Sequence, residues 1–155
     1  MPFIIQGLLN AIEQNKSRDA FGPSLTPAQW NLFEGYLQLI ELVPGQVLAE
    51  QNSHDRTLYF IETGALSVHF LDAKGEVKLS ILNPGSVVGE GAFFSRGPRA
   101  ANIAASGHTR AWRLTHVRFS EMSNRQPELA LELSMALGSV MYRRLMNRAL
   151  RHAVT

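Results

Sequence analysis

The stretch GEGAFFSRGPRAA, residues 89–101, places small residues, a carboxylate and an arginine in one short loop. Gly89 and Gly91 have no Cβ and can adopt positive φ, so a ligand can approach the main chain closely. If Gly91 begins a helical turn, the free N–H groups of that turn favour an anion. Arg99 adds a fork of donors that matches phosphate oxygens, and Ala100 adds a backbone N–H without bulk. The stretch therefore predicts a phosphate-binding loop.

Glu90 is the exception in this loop, because a carboxylate repels phosphate. It fits if it accepts a hydrogen bond from another part of the ligand, such as a ribose hydroxyl. A 3′,5′-cyclic nucleotide carries phosphate and hydroxyl on one small fused ring system, so a single loop could contact both. A lone Gly-Glu-Gly is usually a turn and a lone arginine is usually solvated, so the hypothesis depends on their combination.

The composition of the chain indicates which classes of protein it can belong to. The chain has 155 residues, of which 45% are hydrophobic, which suits one domain with a core. Its formal net charge of +2 is too small to indicate nucleic acid. The absence of cysteine excludes disulfides, thiolate catalysis and cysteine-ligated metals. The N-terminal stretch is too short and polar to span a bilayer and lacks a basic signal start, so we expect a soluble, cytoplasmic protein without membrane contact.

The pattern of apolar residues divides the chain into three segments. Residues 1–40 are typical of helices, residues 41–125 of short strands separated by turns, and residues 126–155 of one long helix. Within the middle segment Leu66, Val68 and Phe70 alternate with polar neighbours, as in a strand buried on one face. About eight such strands predict a mainly β (α+β) fold, an eight-stranded antiparallel β-roll or jelly roll with N-terminal helices and a long C-terminal helix.

Four helices are predicted around the strands. The first has an apolar face that docks either on its own domain or on a partner, formed by Ile4, Ile5, Leu8, Leu9 and Ile12. The second has Thr26 as its N-cap and Pro27 at its first position, and runs to about Leu39. The others span His116–Met122 and Glu128 to about Arg151. The last helix is apolar on more than one face, so it packs either within one subunit only or also against a second copy.

The 89–101 loop resembles the phosphate-binding cassette of the cyclic-nucleotide-binding domain family, which includes catabolite activator proteins and regulatory subunits of cAMP-dependent kinase. The family pattern is Gly-Glu, a spacer, Ala, a short turn and Pro-Arg-Ala-Ala, and this chain matches it with Gly89, Glu90, Ala92, Pro98, Arg99, Ala100 and Ala101. LYFIETGALSV (58–68) and LSILNPGSVVGE (79–90) continue the similarity upstream. The resemblance covers about Leu39 to Met122 and the long helix that follows.

The resemblance implies a role for each loop residue. Glu90 would bind the ribose 2′-hydroxyl and Arg99 the cyclic phosphate, assisted by main-chain N–H groups of Gly91, Ala92 and Ala100. The base pocket would be lined by Val68, Leu79, Ser80 and Val88. In the family a threonine or serine after the arginine accompanies cGMP preference, so Ala100 favours cAMP over cGMP.

Two positions depart from the family pattern. Gly91 stands where the family usually has leucine, which makes the loop looser. Asn52 stands where a turn glycine is customary, and asparagine tolerates the left-handed conformation better than most residues.

The function implied by the resemblance is a stand-alone bacterial sensor rather than an enzyme. Because the chain ends at Thr155, it leaves no room for a DNA-binding module after the long helix. The sensor would therefore signal to an unknown effector protein or through a homodimer, by movement of the flanking helices. The arginines of the last helix are either solvated or a basic surface for an acidic partner or nucleic acid: Arg143, Arg144, Arg148 and Arg151.

Two alternatives stay open. A degenerate domain without ligand would act as an interaction module, and the looser loop at Gly91 favours it. A cupin-type metal enzyme would need several histidines that converge on one metal. The five histidines are scattered without an HxH or HxxxH pair, so we predict no metal site: His54, His69, His108, His116 and His152.

Overall fold

The computed structural model describes residues 4–75 and 77–147, and this part contains five helices and eight strands. The helices are α1 (Gln6–Gln14), α2 (Pro27–Glu34), α3 (Glu90–Ser95), α4 (His116–Arg125) and α5 (Pro127–Met146). The strands are β1 (Gln38–Leu42), β2 (Val47–Ala49), β3 (Leu58–Thr63), β4 (Leu66–Leu71), β5 (Val77–Leu82), β6 (Val87–Val88), β7 (Asn102–Ala105) and β8 (Thr109–Leu114).

The strands form two antiparallel four-stranded sheets. Their orders are β1-β8-β3-β6 and β2-β7-β4-β5. Strand β3 shows how the layers are arranged, because successive side chains point to opposite faces. Tyr59 and Ile61 belong to the cluster that also contains residues of the second sheet, whereas Leu58 and Phe60 belong to the cluster formed with the helices. The predicted eight-stranded antiparallel fold with flanking helices is confirmed.

Helix α1 packs against its own domain, which decides between the two alternatives left open by the sequence. Ile5 and Leu8 are 2% and 1% exposed, within the cluster between the helices and the first sheet. The Ile5 N–H also donates to Glu34 Oε1 at 2.7 Å. Ile4, at the end of the apolar face, remains 61% exposed.

Helix α2 begins where the sequence predicts and ends earlier. The Thr26 side chain accepts from the Gln29 N–H, and Gln29 accepts from the Thr26 N–H, which completes a capping box. The helix ends at Glu34 rather than near Leu39, because Leu39 pairs with Trp112 as part of β1. That strand pairing is a long-range contact that local helical spacing does not show.

Helix α5 has two apolar faces. One face is buried against the rest of the chain and consists of Leu129, Ala130, Leu133, Leu137, Val140 and the side chain of Arg144. We call the opposite one the outer α5 face; it is exposed and consists of Leu131, Met135, Gly138 and Tyr142. The helix ends at Met146, because Asn147 is extended, and not at about Arg151 as predicted; residues 148–151 lie outside the described residues. No helix in the described ranges is long and apolar enough to cross a membrane.

Candidate functional site

The 89–101 loop begins with a sharp change of backbone direction after β6. Gly89 has φ 100°, and a Cβ at this position would lie 2.6 Å from Arg99 Nη1 and 2.7 Å from the Thr57 carbonyl oxygen. The backbone thus needs glycine here for two reasons, its left-handed conformation and its close contacts. Helix α3 follows at once, and Gly91 lies inside it without a positive φ.

Arg99 is fully buried and is held by the connection that precedes β3. Its Nη1 donates to the Gly89 carbonyl at 3.0 Å. Its Nη2 donates to Asp55 Oδ2 at 2.9 Å and to the Thr57 carbonyl at 2.5 Å. The Nε of Arg99 has no hydrogen-bond partner among the described residues. The guanidinium is therefore fixed in place while its Nε donor remains unused.

The turn that contains Asn52 anchors the end of the loop. Asn52 has φ 72°, so the turn keeps the left-handed conformation predicted for this residue in place of the customary glycine. Its N–H donates to the Arg99 carbonyl at 2.7 Å, and the Arg99 N–H donates to the Ser53 carbonyl at 2.8 Å. These two bonds hold the Arg99 main chain against the turn, in addition to its side-chain contacts.

Two titratable groups near Arg99 have shifted pKa values. Burial raises the pKa of the Asp55 carboxyl, but Arg99 and the hydrogen bonds from Thr57 outweigh burial and bring that pKa below its ordinary 3.8. Burial, together with the nearby Asp55 carboxylate, raises the pKa of the Tyr59 hydroxyl. Asp55 therefore remains the anionic partner of Arg99 at neutral pH, and Tyr59 stays neutral.

Glu90 turns towards the helices instead of towards Arg99. Its side chain is fully buried, and Oε1 lies 2.8 Å from Nη1 of Arg144 on α5. The distance is that of an ion pair, yet neither carboxylate oxygen has a well-aligned hydrogen bond in the described residues. Arg144 also donates through Nε to Asp19 Oδ2 at 2.7 Å and through Nη2 to the Val87 carbonyl at 2.7 Å.

Most of the residues predicted to line the base pocket face the space between the sheets. Val68 and Val88 are fully buried in the inter-sheet cluster, and Ser80 is 9% exposed opposite Val68. Leu79 is a correction: it pairs with His69, points to the other face of β5 and is 55% exposed. Because side chains alternate along a strand, Leu79 cannot face inward together with Ser80.

The remaining loop residues divide between buried and exposed positions. Ala92 and Ala101 are buried, and Ala101 lies in the inter-sheet cluster beside Ile103. Ala100 is exposed and Gly91 is half-buried. The structure thus brings Arg99 into contact with Gly89, places Ala101 in the inter-sheet cluster, and places the Glu90 carboxylate against Arg144 of α5.

Sequence reasoning missed four functional candidates. Asp55 pairs with Arg99, and Tyr59 lies close enough to both for their charges to act on it. Arg144 pairs with Glu90, and Asp19 pairs with Arg144. The interpretation of Arg144 as a solvated or partner-binding cation was wrong, since it is fully buried. One signal was available for Arg144: it follows Leu133, Leu137 and Val140 at spacings of four, three and four, the period of a buried helix face.

In the described part of the chain, no three histidine or acidic side chains form a group that could hold a metal ion. Comparison with known proteins agrees with the fold. The sequence model of the cyclic nucleotide-binding domain family matches residues 39–126, more than half of the chain. This chain belongs to the cyclic nucleotide-binding domain family. Domains of this family are regulatory rather than catalytic.

The structural neighbours include a cyclic nucleotide-binding domain from Methylobacillus flagellatus. Its crystal structure matches with a TM-score of 0.80 at 18% identity, over 92% of this chain and 78% of that one. At this level of identity the match establishes a cyclic nucleotide-binding domain fold and nothing finer.

Two relatives of known name match in sequence. A cAMP-dependent protein kinase regulatory subunit of Blastocladiella emersonii is 32% identical over 80 residues, which is 51% of this chain. Neuropathy target esterase sws of Drosophila virilis is 26% identical over 141 residues, which is 84% of this chain. This chain spans only 20% of the length of the first relative and 9% of the length of the second.

Proposed function

We propose that this chain is a cyclic-nucleotide sensor that binds cAMP in preference to cGMP. The observation that supports this most is Arg99, a fully buried guanidinium whose Nε has no partner in the described residues. A buried donor without an acceptor is costly, and an anionic oxygen would satisfy it. Its position at the end of a family-matched loop indicates the cyclic phosphate as that anion.

Helix α3 supplies the second set of donors. The first N–H groups of a helix have no intrahelical acceptor, and no side chain caps α3. We assign the N–H groups of Gly91 and Ala92 to the phosphate, together with that of Ala100 beyond Arg99. Glu90 binds the ribose 2′-hydroxyl once it has turned inward, and the base lies against Val68, Ser80 and Val88.

The preference for cAMP has two supports. Ala100 lacks the hydroxyl that accompanies cGMP preference in the family. The Blastocladiella emersonii relative is named as the regulatory subunit of a cAMP-dependent kinase. A cytoplasmic location stays a prediction of the sequence.

Calorimetric titration of ligand-free protein with cAMP and cGMP tests the proposal. We expect heat with both nucleotides and tighter binding of cAMP. Arg99→Ala should lower affinity by about 30-fold or more, because it removes a buried charged contact. Arg125→Ala, an exposed arginine on α4, is the matched control and should bind normally.

Two further measurements separate binding from folding. Thermal unfolding of Arg99→Ala without ligand shows whether loss of the Asp55 contact alone disturbs the fold. Replacing cAMP by its 2′-deoxy analogue leaves the protein unchanged and should weaken binding sharply if Glu90 accepts from the hydroxyl. No heat from wild-type protein with either nucleotide would contradict the proposed function.

The partner that we propose for the outer α5 face is a second copy of the chain. Leu131, Met135, Gly138 and Tyr142 follow one another at spacings of four, three and four, the repeat of a two-helix coiled coil. Such a seam is self-complementary, so two copies of α5 can cover each other. An effector protein would then respond to the dimer or to the movement of its helices.

A second candidate function is an interaction module that binds no nucleotide. The internal contacts of Glu90 and Arg99 favour it, since both side chains are fully buried and already have ionic partners. In that case neither nucleotide would give heat, although the protein would still be folded. The titration therefore decides between the two functions.

A further inference from the structure

Three fully or almost fully buried charges meet where the 89–101 loop contacts α5. Glu90 and Arg144 are 0% exposed and Asp19 is 3% exposed. Glu90 belongs to the loop, Arg144 to α5, and Asp19 to the segment between α1 and α2. We call these three residues the buried ion cluster. It holds two carboxylates and one guanidinium, so its formal charge is −1.

Arg144 binds the two carboxylates unequally. Its Nε donates a hydrogen bond to Asp19 at 2.7 Å, and its Nη2 donates to the Val87 carbonyl. Its contact with Glu90 is an ion pair without a well-aligned hydrogen bond. Arg144 and Asp19 therefore make a neutral, hydrogen-bonded pair by themselves, and Glu90 is the excess charge.

The charges determine which carboxylate can leave the cluster. If Asp19 left, Arg144 would lose its hydrogen-bonded partner. If Glu90 leaves, a compensated pair stays behind, and no buried charge is left without a counter-ion. Glu90 keeps a polar partner when it leaves, because a ligand hydroxyl would donate a hydrogen bond to it.

We propose that Arg144 competes with the nucleotide for Glu90, so that ligand binding breaks the contact between the loop and α5. This inference rests on the proposed function. In the ligand-free protein, Arg144 holds Glu90 on the helix side and joins the C-terminal half of α5 to the loop. When Glu90 turns to the ligand, α5 keeps its link to Asp19 but loses the link to the loop. Ligand binding and α5 position are then coupled reciprocally.

Two substitutions with opposite expected effects test this competition. Arg144→Gln removes the competitor and should tighten cAMP binding by about five- to twentyfold. Asp19→Asn leaves Glu90 as the only carboxylate on Arg144, so its departure would leave a bare buried cation, and binding should weaken by a similar factor. Arg143→Gln is the control, because the Arg143 side chain is half-exposed and contacts the Arg18 carbonyl and Ser139.

A merely structural role for the cluster predicts a different result. Both variants would then loosen the fold and both would weaken binding, which would overturn the inference. The coupling must also pass through Glu90, so Arg144→Gln should have no effect on affinity in a Glu90→Gln background. If Arg144→Gln does not fold, Asp19→Asn and Glu90→Gln still give the answer, since tighter or unchanged binding in Asp19→Asn contradicts the competition.

A measurement without ligand keeps this inference distinct from the proposed function. Hydrogen exchange of residues 140–146 in α5 should accelerate in Glu90→Gln and stay unchanged in Arg143→Gln. If wild-type protein binds neither nucleotide, the proposed function fails, while faster exchange in Glu90→Gln would still show that the cluster joins loop and helix. Equal exchange in wild type and Glu90→Gln would overturn the inference even if the nucleotide binds.

Discussion

At the scale of single residues, two buried arginines determine how the site is built. Arg99 and Arg144 are both fully buried, which removes each guanidinium from water at a cost in free energy. In each case a carboxylate from elsewhere in the chain offsets that cost. Removing Asp55 would leave the buried Arg99 guanidinium without a carboxylate, which is destabilising, whereas removing Asp19 would still leave Arg144 its contact with Glu90. Asp55 is therefore as necessary to the site as Arg99.

Gly89 gives a prediction at the same scale. Gly89→Ala should destabilise the protein by about 1–3 kcal/mol or more, because alanine is strained at φ 100°. Its Cβ would also press on Arg99 Nη1 and the Thr57 carbonyl, so nucleotide affinity should fall as well. Urea unfolding and calorimetry measure the two effects.

Gly107→Ala is the control for this substitution. Gly107 lies in a loop, has no positive φ, and a Cβ there would meet nothing within 4 Å. The change should be neutral or stabilising by up to about 1 kcal/mol. A Gly89→Ala protein as stable as Gly107→Ala would show that the turn relaxes and that Arg99 does not depend on it.

The sequence predicts the contents of the loop better than its contacts. Gly89, Arg99 and the left-handed Asn52 can be predicted from the sequence, because the local backbone conformation or the proposed ligand requires each of them. The pair Arg144–Asp19 joins residues 125 positions apart, and no local pattern indicates which acid meets which arginine. Leu79 shows a further limit, since its place on β5 depends on which of two alternating faces turns inward.

At the scale of elements, helix α1 extends the core on the helix side of the first sheet. It contributes Ile5 and Leu8 to the cluster that contains Phe60 and Trp112. The apolar spacing predicts the helix but not its ends, since no side chain caps its first turn. The end of α2 is less predictable, because the apolar spacing continues to Leu39, but Gln38 and Leu39 pair with β8 instead.

Two substitutions on the apolar face of α1 test this docking. Leu8→Ala should destabilise the protein by about 2–5 kcal/mol, because it opens a cavity at a 1% exposed position. Ile4→Ala, at a 61% exposed position, should change stability by no more than about 0.5 kcal/mol. The free energy of unfolding in urea distinguishes them. Equal effects would mean that α1 does not pack on its own domain in solution.

At the scale of the whole molecule, α5 joins the ligand loop to the proposed dimer interface. Its inner face carries Arg144, which contacts the loop, and its outer face carries Met135 and Tyr142. A change in the buried ion cluster therefore acts on the same helix that a second copy would contact. If the chain binds a nucleotide and forms the proposed dimer, this arrangement would connect the two within one helix.

The outer α5 face gives the last prediction. Met135→Lys places a charge in the proposed seam, so it should raise the dimer dissociation constant at least about tenfold, equivalent to about 1.4 kcal/mol. Met135 is 66% exposed, so the fold of the subunit should be unaffected. Val117→Lys is the matched control, because Val117 is 68% exposed on α4, away from this face.

Sedimentation equilibrium over a range of concentrations measures the effect. Wild type and Val117→Lys should approach twice the mass of one chain, while Met135→Lys stays near the single-chain value, with unchanged circular dichroism. Adding a saturating nucleotide should shift the wild-type equilibrium, because the loop and the seam share α5. A wild-type protein that stays monomeric at all concentrations, with or without nucleotide, would rule out the second copy as the partner of this face.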